Sequence, residues 1–526
     1  MLIKIYSAAP VGIDAVPVTI EVHSVPGYDF TLVGLPDIAV KESHERIVAA
    51  LTVNGLEKIH RAYTINMAPA DIKKEGSSFD LPLAIGMLAG NESVKTKLLG
   101  HYMIMGELSL DGSLQPIRGA LPIALCARKA GFKGLILPAA NAEEAAVVEG
   151  IDVYGLNNIM EVVHFLNGEP KDELNPDNAF APTHVDIQTM FDEAAFPSDL
   201  DFSDVRGQYK VRRAIEVAAA GGHNMIMIGP PGAGKSMIAK RLPSILPPLT
   251  LEEALETTKI HSVAGLLNKR NGANSSLIVQ RPFRSPHHTI TDVALVGGGT
   301  NPHPGEISLA HNGVLFLDEL PEYKRSVLEV MRQPLEDRHI TVARTKTTVD
   351  YPASFMLVAA MNPCPCGHYG ENNPAHPCTC TPAQVHRYLS RISGPLLDRI
   401  DIQCEIEAVP YEQLRDTQPG ESSAVIRERV LKARTIQNNR FKHNKLVHCN
   451  AMMNAKMVRQ YCVLDAECDK LLEVTMTRLG LSARAYDRIL KVARTIADLE
   501  GAQDIQKQHL LEAISYRSLD RNNWAG

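Results

Sequence analysis

Residues Gly229, Pro230, Pro231, Gly232, Ala233, Gly234, Lys235 and Ser236 fill a G-x-x-x-x-G-K-S spacing. That pattern suits one task. Glycines let successive backbone N–H groups turn toward a single phosphate, and a helix that begins at the lysine adds its positive end. The Lys235 ammonium can then reach the β- and γ-phosphates, and the Ser236 hydroxyl can bind Mg²⁺. The expected ligand is ATP with Mg²⁺. An acidic pair, Asp318-Glu319, closes the apolar run Val314-Leu315-Phe316-Leu317. Carboxylates at the C-terminal end of a buried strand stand where α/β sheets place their ligands. Asp318 is expected to bind the Mg²⁺, and Glu319 to orient and deprotonate the attacking water. Asn362 ends another apolar run, Phe355 to Met361, where its amide could sense the γ-phosphate and position water.

Cys364, Cys366, Cys378 and Cys380 make a C-x-C…C-x-C pattern with eleven residues between the pairs. Four thiolates can close a tetrahedral zinc site, and His368 or His376 could replace one of them. The one-residue spacing inside each pair is tighter than the usual two to four, and a loop of free thiols is the alternative. A zinc here would brace the nucleotide-binding core or a channel-facing element rather than catalyse. His287-His288 could ligate metal as well, but adjacent side chains rarely aim at one ion, which favours a structural role.

These residues need elements to hold them. An apolar, Met- and Ile-rich run precedes the glycine loop, and a helical pattern follows from Met237 to Leu242. A helix over 211–220 precedes both. Lys235 and Asp318 lie about 80 residues apart, more than one strand–helix–strand step needs. The glycine triplet Gly297-Gly298-Gly299 suggests that part of the excess is an inserted hairpin or loop. A helix from Glu319 to about Pro334 leads into an alternating stretch, 338–349, that carries four basic or imidazole side chains and reads as a β-hairpin with a basic tip. Such a tip could meet a nucleic-acid backbone or simply be solvated. Residues 406–526 carry apolar positions at helical spacing and read as a helical lid. Residues 1–165 alternate strand and helix patterns, with Val18, Ile20 and Val22 on one strand face, and form a mixed α/β domain. Residues 166–200 carry Pro, Asp, Glu and Asn without a period and read as a linker. The nucleotide-binding core is 201–405.

With 526 residues, 45% hydrophobic and 22% charged, the chain can build several ordinary globular cores. A net charge of −6 provides no global field for nucleic acid, so any such contact needs a local patch. Nine cysteines, four of them within 364–380, point to a reduced compartment with one metal cluster. No apolar run reaches the roughly 18 residues of a spanning helix, and no signal peptide is evident, so a cytoplasmic protein without membrane contact is expected.

Several stretches together resemble the magnesium-chelatase-like branch of the AAA+ ATPases, and within it the bacterial ComM/YifB type. They are Arg281 to Thr289, Gly305-Glu306-Ile307-Ser308-Leu309-Ala310-His311-Asn312-Gly313 running into Leu317-Asp318-Glu319, and Pro395 to Asp401. Val33-Gly34-Leu35-Pro36-Asp37 and Ala68-Pro69-Ala70-Asp71 belong to the same likeness. The resemblance implies that Asn362 is the first sensor, Arg399 an arginine finger entering a neighbour's ATP site, and Arg484 the second sensor on the lid. The alternative for Arg399 is a salt bridge with Asp398 or Asp401. A finger acting in trans implies a homo-oligomeric ring, a hexamer by the family's habit. The resemblance further implies a helicase or branch-migration motor acting on DNA in recombination or natural transformation. The alternative is a motor subunit that inserts metal into a porphyrin. Lys74-Glu75-Gly76-Ser77-Ser78 and Pro116-Ile117-Arg118-Gly119 resemble the proteolytic domain of Lon-type proteases. Ser78 takes the serine's place, but Leu121 stands where that family has its lysine. Leucine cannot accept the hydroxyl proton and Arg118 stays protonated, so the likeness implies the fold without the peptidase.

Overall fold

The computed structural model describes residues 2–56, 61–171, 179–194, 200–267, 276–299, 302–343, 348–370, 377–408, 420–444 and 446–517. They form two compact units, Met1–Asp192 with Leu251–Ile278, and Glu193–Thr250 with Val279–Gly526.

The second unit is built on five parallel strands: β1 (Met225–Ile228), β2 (Phe283–Arg284), β3 (Val314–Leu317), β4 (Met356–Met361) and β5 (Ile402–Glu405). Their spatial order is β2-β3-β4-β1-β5. Strands β1, β3 and β4 consist of apolar residues only and are buried along their whole length, as a sheet covered on both faces demands. From β1 the chain crosses outward to β2, returns through β3 and β4, and ends on the other side of β1 with β5. That reversal leaves a crevice beyond the C-terminal ends of β1 and its neighbours. Register pairs Ile228 with Met361 and Leu317 with Ala359, so β1, β3 and β4 finish within two residues of one another.

Helix Tyr209–Gly221 buries Val211, Ala214, Ile215 and Val217 and stops at Gly222, which is left-handed at φ +69°. The C-terminal region is helical as expected, with Ser423–Phe441, Ala455–Tyr461, Ala466–Leu479, Ala483–Leu499 and Lys507–Ser515. Their apolar faces, Ile426, Val430, Ile489, Val492 and Leu510 among them, share one core with the sheet residues Met225 and Val358. Two buried carboxylates fasten this region. Asp498 takes a guanidinium fork from Arg440 at 2.6 and 2.7 Å and the Asn450 amide at 2.8 Å. Asp401, just before β5, accepts the Asn224 N–H at 3.2 Å, faces His223 Nδ1 at 3.3 Å and pairs with Arg488 from helix Ala483–Leu499. Burial opposes ionisation of Asp401, but the Arg488 charge and the His223 bond outweigh it and hold its carboxyl far below the usual carboxylate range.

The first unit carries a seven-stranded mixed sheet in the order Phe30–Val33, Arg61–Ala68, Asp14–Pro26, Leu2–Val11, Tyr102–Ile104, Gly134–Pro138, Asp152–Leu156. Val18, Ile20 and Val22 are fully buried on one face, as their alternation predicts. Helix Asp80–Gly90 is buried throughout and lies close on the sheet. A Cβ on Gly86 would stand 2.6 Å from Val22 Cγ2. Ser78 sits in the turn Ser77–Phe79, and its carbonyl takes the Gly106 N–H at 2.9 Å. Leu121 is a core residue whose backbone N–H goes to the buried Glu144 carboxylate at 2.9 Å.

Three features differ from the sequence reading. Much of the interval between Lys235 and Asp318 is an excursion: helix Leu251–Ala264 belongs to the first unit, where Ser262 donates to Glu144 and Lys259 pairs with Asp14 at 2.9 Å. The stretch 166–200 is not without structure, because Asp186 bonds the Thr189 N–H at 3.2 Å and starts helix Ile187–Ala194. The helix expected from Glu319 to Pro334 breaks into a turn, Leu320–Glu322, and two short helices, Arg325–Val330 and Arg332–Asp337. Lys324, between the turn and the first of these helices, leaves the helical region at ψ 140°. Gly297–Gly298 pairs with His303–Pro304, and His339–Ala343 pairs with Thr348–Pro352, each antiparallel. Residues 344–347, with Arg344 and Lys346, and His376 lie outside the described residues.

Arg488→Ala strips Asp401 of its counter-charge. Removing one partner of a buried pair costs about 3–5 kcal/mol. In the parent the lowered pKa of Asp401 adds stability at neutral pH that is lost only as pH falls through that lowered value. In the variant burial acts unopposed by the arginine, protonation relieves the buried charge, and the deficit should therefore shrink toward pH 5. Urea unfolding at pH 7 and pH 5 checks both the size and the sign.

Candidate nucleotide site

Strand β1 runs straight into the glycine loop. The Gly229 N–H donates to Met361 O at 3.2 Å, and the Ile406 N–H donates to Ile228 O at 2.7 Å. The loop thus starts between the strand ends on either side. A Cβ on Gly229 would stand 2.2 Å from the Ile406 carbonyl oxygen, so no other residue fits there. Gly232 and Gly234 are left-handed, at φ +78° and +88°, and turn the backbone into helix Lys235–Arg241.

Lys235 is only 8% exposed. Its ammonium donates to Gly229 O at 2.7 Å, Pro230 O at 2.8 Å and Asn362 Oδ1 at 3.0 Å. Burial pulls its pKa down, while the charges of Asp318 and Glu319 act the other way. A buried cation among neutral oxygens is a receptor for an anion, since phosphate oxygens can replace those acceptors. Ser236 Oγ donates to Asp318 Oδ2, so a hydroxyl and a carboxylate from two elements meet at one point. These hard oxygens suit Mg²⁺, which takes one or two protein ligands and fills its octahedron with water and phosphate. Lys235, Ser236, Asp318 and Asn362 thereby form a connected set at the C-terminal ends of β1, β3 and β4.

Glu319 follows Asp318 in a left-handed conformation, φ +52°, and its side chain is 57% exposed. Its Oε2 lies 3.4 Å from His288 Nδ1. The His288 ring packs on His287 at 4.1 Å, and the Tyr323 hydroxyl donates to Pro286 O at 2.6 Å, which ties that segment down beside the acidic pair. Burial, and then the Asp318 and Glu319 charges, push the Tyr323 pKa up. Sequence reasoning assigned His288 no part in this site. The residue was conspicuous, but no spacing links it to Glu319.

The two arginines lie elsewhere in the unit. Arg399 is buried, donates to Pro395 O at 2.7 Å and pairs with Glu336 rather than with Asp398 or Asp401. Arg484 is exposed at the start of helix Ala483–Leu499. The Arg399 bond holds the Glu336 carboxyl below the usual range, and the charges of Arg399, Arg484 and Arg488 add to it. Glu329, Arg332, Glu336, Ile340 and Arg399 line a cleft of about 490 Å³.

The sulfurs of Cys364, Cys366, Cys378 and Cys380 all lie within 4.8 Å of one another. Individual separations are 3.3 Å (Cys364–Cys366), 3.5 Å (Cys366–Cys378) and 3.8 Å (Cys364–Cys378). Thiolates on a tetrahedral zinc at about 2.3 Å stand about 3.8 Å apart, so the donor set fits that ion.

Comparison with known proteins shows the family. Family models match in three blocks: subunit ChlI of Mg-chelatase over residues 20–141, magnesium chelatase subunit ChlI over 201–414, and its C-terminal model over 420–517. Competence protein ComM of Haemophilus influenzae is 44% identical over 520 residues, covering 98% of this chain and 97% of its own length. The chain belongs to the ComM/YifB family of magnesium-chelatase-like AAA+ proteins. YifB of Escherichia coli is 44% identical over 521 residues, with the same coverage of both chains. Lon protease 2 of Bacillus subtilis is 27% identical over 150 residues, 28% of this chain and 25% of its own length, a weak likeness. Membership of the ComM/YifB family implies ATPase activity with ATP and Mg²⁺, and AAA+ relatives of this kind work as oligomers. Among the described residues no helix is long and apolar enough to cross a membrane.

Gly229→Ala should be destabilising irrespective of any ligand, because the new methyl would collide with the Ile406 carbonyl and part β1 from residue 406. Overpacking of this kind costs about 1–3 kcal/mol. Chemical denaturation of parent and variant without nucleotide measures it.

Proposed function

We propose that this chain is the subunit of a ring-shaped motor that couples ATP hydrolysis to DNA remodelling, as a helicase or branch-migration enzyme in recombination or natural transformation. The observation that carries the reading is the connected set Lys235–Asn362 and Ser236–Asp318 at the reversal point of a parallel sheet. Residues 229–236 wrap the phosphates, with Lys235 on the β- and γ-phosphates and Ser236 and Asp318 on Mg²⁺. Glu319 accepts a proton from the attacking water, oriented by His288. Asn362 senses the γ-phosphate through the same amide that touches Lys235. Arg399 leaves Glu336 to stabilise charge on a neighbour's transferred phosphoryl group, and Arg484 is the second sensor. The ring is a hexamer.

The rest of the chain follows this assignment. Residues 1–165 form a Lon-like, non-proteolytic domain, 166–200 the connection, 201–405 the ATPase core and 406–526 the lid. The four cysteine sulfurs hold a structural zinc, and the free thiols suit the cytoplasm. The DNA substrate is supported by the full-length likeness to a competence protein. A second reading, a motor for metal insertion into a porphyrin, has the matching magnesium-chelatase family models in its favour.

Lys235→Ala should abolish binding of a fluorescent ATP analogue. Glu319→Gln should bind it but turn over at least about 100-fold more slowly. Rings mixed from Arg399→Ala and Lys235→Ala subunits should regain ATPase, because each supplies what the other lacks. Single-stranded and forked DNA should accelerate the parent's ATPase. A rate indifferent to both would dismiss DNA remodelling and favour the chelatase reading.

A further inference from the structure

We infer that the zinc knuckle of Cys364, Cys366, Cys378 and Cys380 sets the shape of the phosphate loop, so that nucleotide affinity depends on the metal. This rests on reading residues 229–236 as the nucleotide site.

Three links join the knuckle to that site. The first is covalent: Asn362, which accepts the Lys235 ammonium at 3.0 Å, is separated from Cys364 by Pro363 alone. Cys364 is 0% exposed, so the strand end is anchored directly to a buried sulfur. The second is packing. Cys364, Pro365, Cys366 and Gly367 form a tight turn closed by the Gly367 N–H on Cys364 O at 3.0 Å. Gly367 is left-handed at φ +91°, and a Cβ there would come within 2.6 Å of Pro231 Cδ and 3.2 Å of its Cγ. The backbone of the knuckle therefore abuts the proline of the glycine loop with no room for a side chain. The third is the exit. Thr381 follows Cys380 and caps helix Pro382–Leu389 in a reciprocal box with Gln384, and the buried Tyr388 of that helix lies against the Asn362 backbone.

Asn362 and Pro231 are thus both held by one short segment. Four converging sulfurs join its two ends. Without an ion, four thiols in near contact offer one another only weak bonds. With zinc they become ligands of one centre, and the binding free energy of the metal becomes ordering free energy of the segment. The sheet itself draws its stability from apolar burial, so metal loss loosens the knuckle and its two contacts while the core persists.

The test uses the full-length chain, purified under reducing conditions without added metal. Elemental analysis should find about one zinc per chain, and Cys378→Ser with Cys380→Ser should lose it. A chelator selective for zinc over Mg²⁺ should weaken binding of a fluorescent ATP analogue about tenfold, and restoring zinc should return the affinity. Amide exchange should quicken at 229–236 and 362–370 on chelation while β1 and β4 stay protected. Reversal with zinc on the parent chain keeps the answer independent of whether the cysteine variant folds. A chain that binds nucleotide tightly without metal would overturn the inference. So would zinc whose removal leaves affinity and exchange unchanged. A zinc-loaded chain that binds no ATP analogue would instead defeat the nucleotide reading, and the coupling with it, while the zinc count would stand.

Discussion

The Lys235 ammonium is the contact on which the second unit's chemistry depends. It is a positive charge in a largely dry place, held by two carbonyls of its own loop and by an amide at the end of β4. None of those partners is charged, so the cation keeps its appetite for an anion. Two sequence-distant elements are at the same time pinned to one atom. Every other feature of the site follows from making this arrangement possible. The strands must finish level, the loop must start at a glycine that tolerates the Ile406 carbonyl, and the backbone must turn left-handed twice before the helix.

On the other flank of the sheet the chain spends its charges differently. Asp401 and Asp498 are buried carboxylates satisfied by arginine and amide partners, and they fasten helices to strands. Arg399 stands between the two regimes. It is buried and paired with Glu336, yet it lines an open cleft with Glu329 and Arg332. If it serves a neighbouring subunit, as proposed, it must exchange a carboxylate for a phosphoryl group. Glu336 then sets how readily the arginine is released.

Much of this was legible in the amino-acid order because the signals are local. The glycine loop declares itself by spacing, and β1, β3 and β4 by unbroken apolar runs that end in Asp318 and Asn362. The C-terminal helices follow from apolar residues at helical intervals. What stayed hidden is long-range. Nothing in the order of residues ties His288 to Glu319, Arg399 to Glu336, or Gly367 to Pro231, because such pairs are chosen by the packing of whole elements. The excursion 251–278 was visible only as surplus length, since its helix has ordinary composition and its partners, Glu144 and Asp14, lie far upstream. Helix Ile187–Ala194 was missed because one turn-and-cap signal sits among polar residues that read as a connection.

The excursion also bears on how the polypeptide can be divided. The chain passes between its two units three times, after Asp192, Thr250 and Ile278, so neither is a continuous stretch. A fragment cut anywhere in 166–200 would release an amino-terminal piece lacking Ser262 and leave the acid at Glu144 without that hydroxyl. The remainder would carry an orphan helix with its docking residues gone. During synthesis the first unit must likewise wait for the glycine loop to be made before its last helix emerges. Assembly of the two folds is interleaved in time, and a ribosome stalled between them would hold both unfinished.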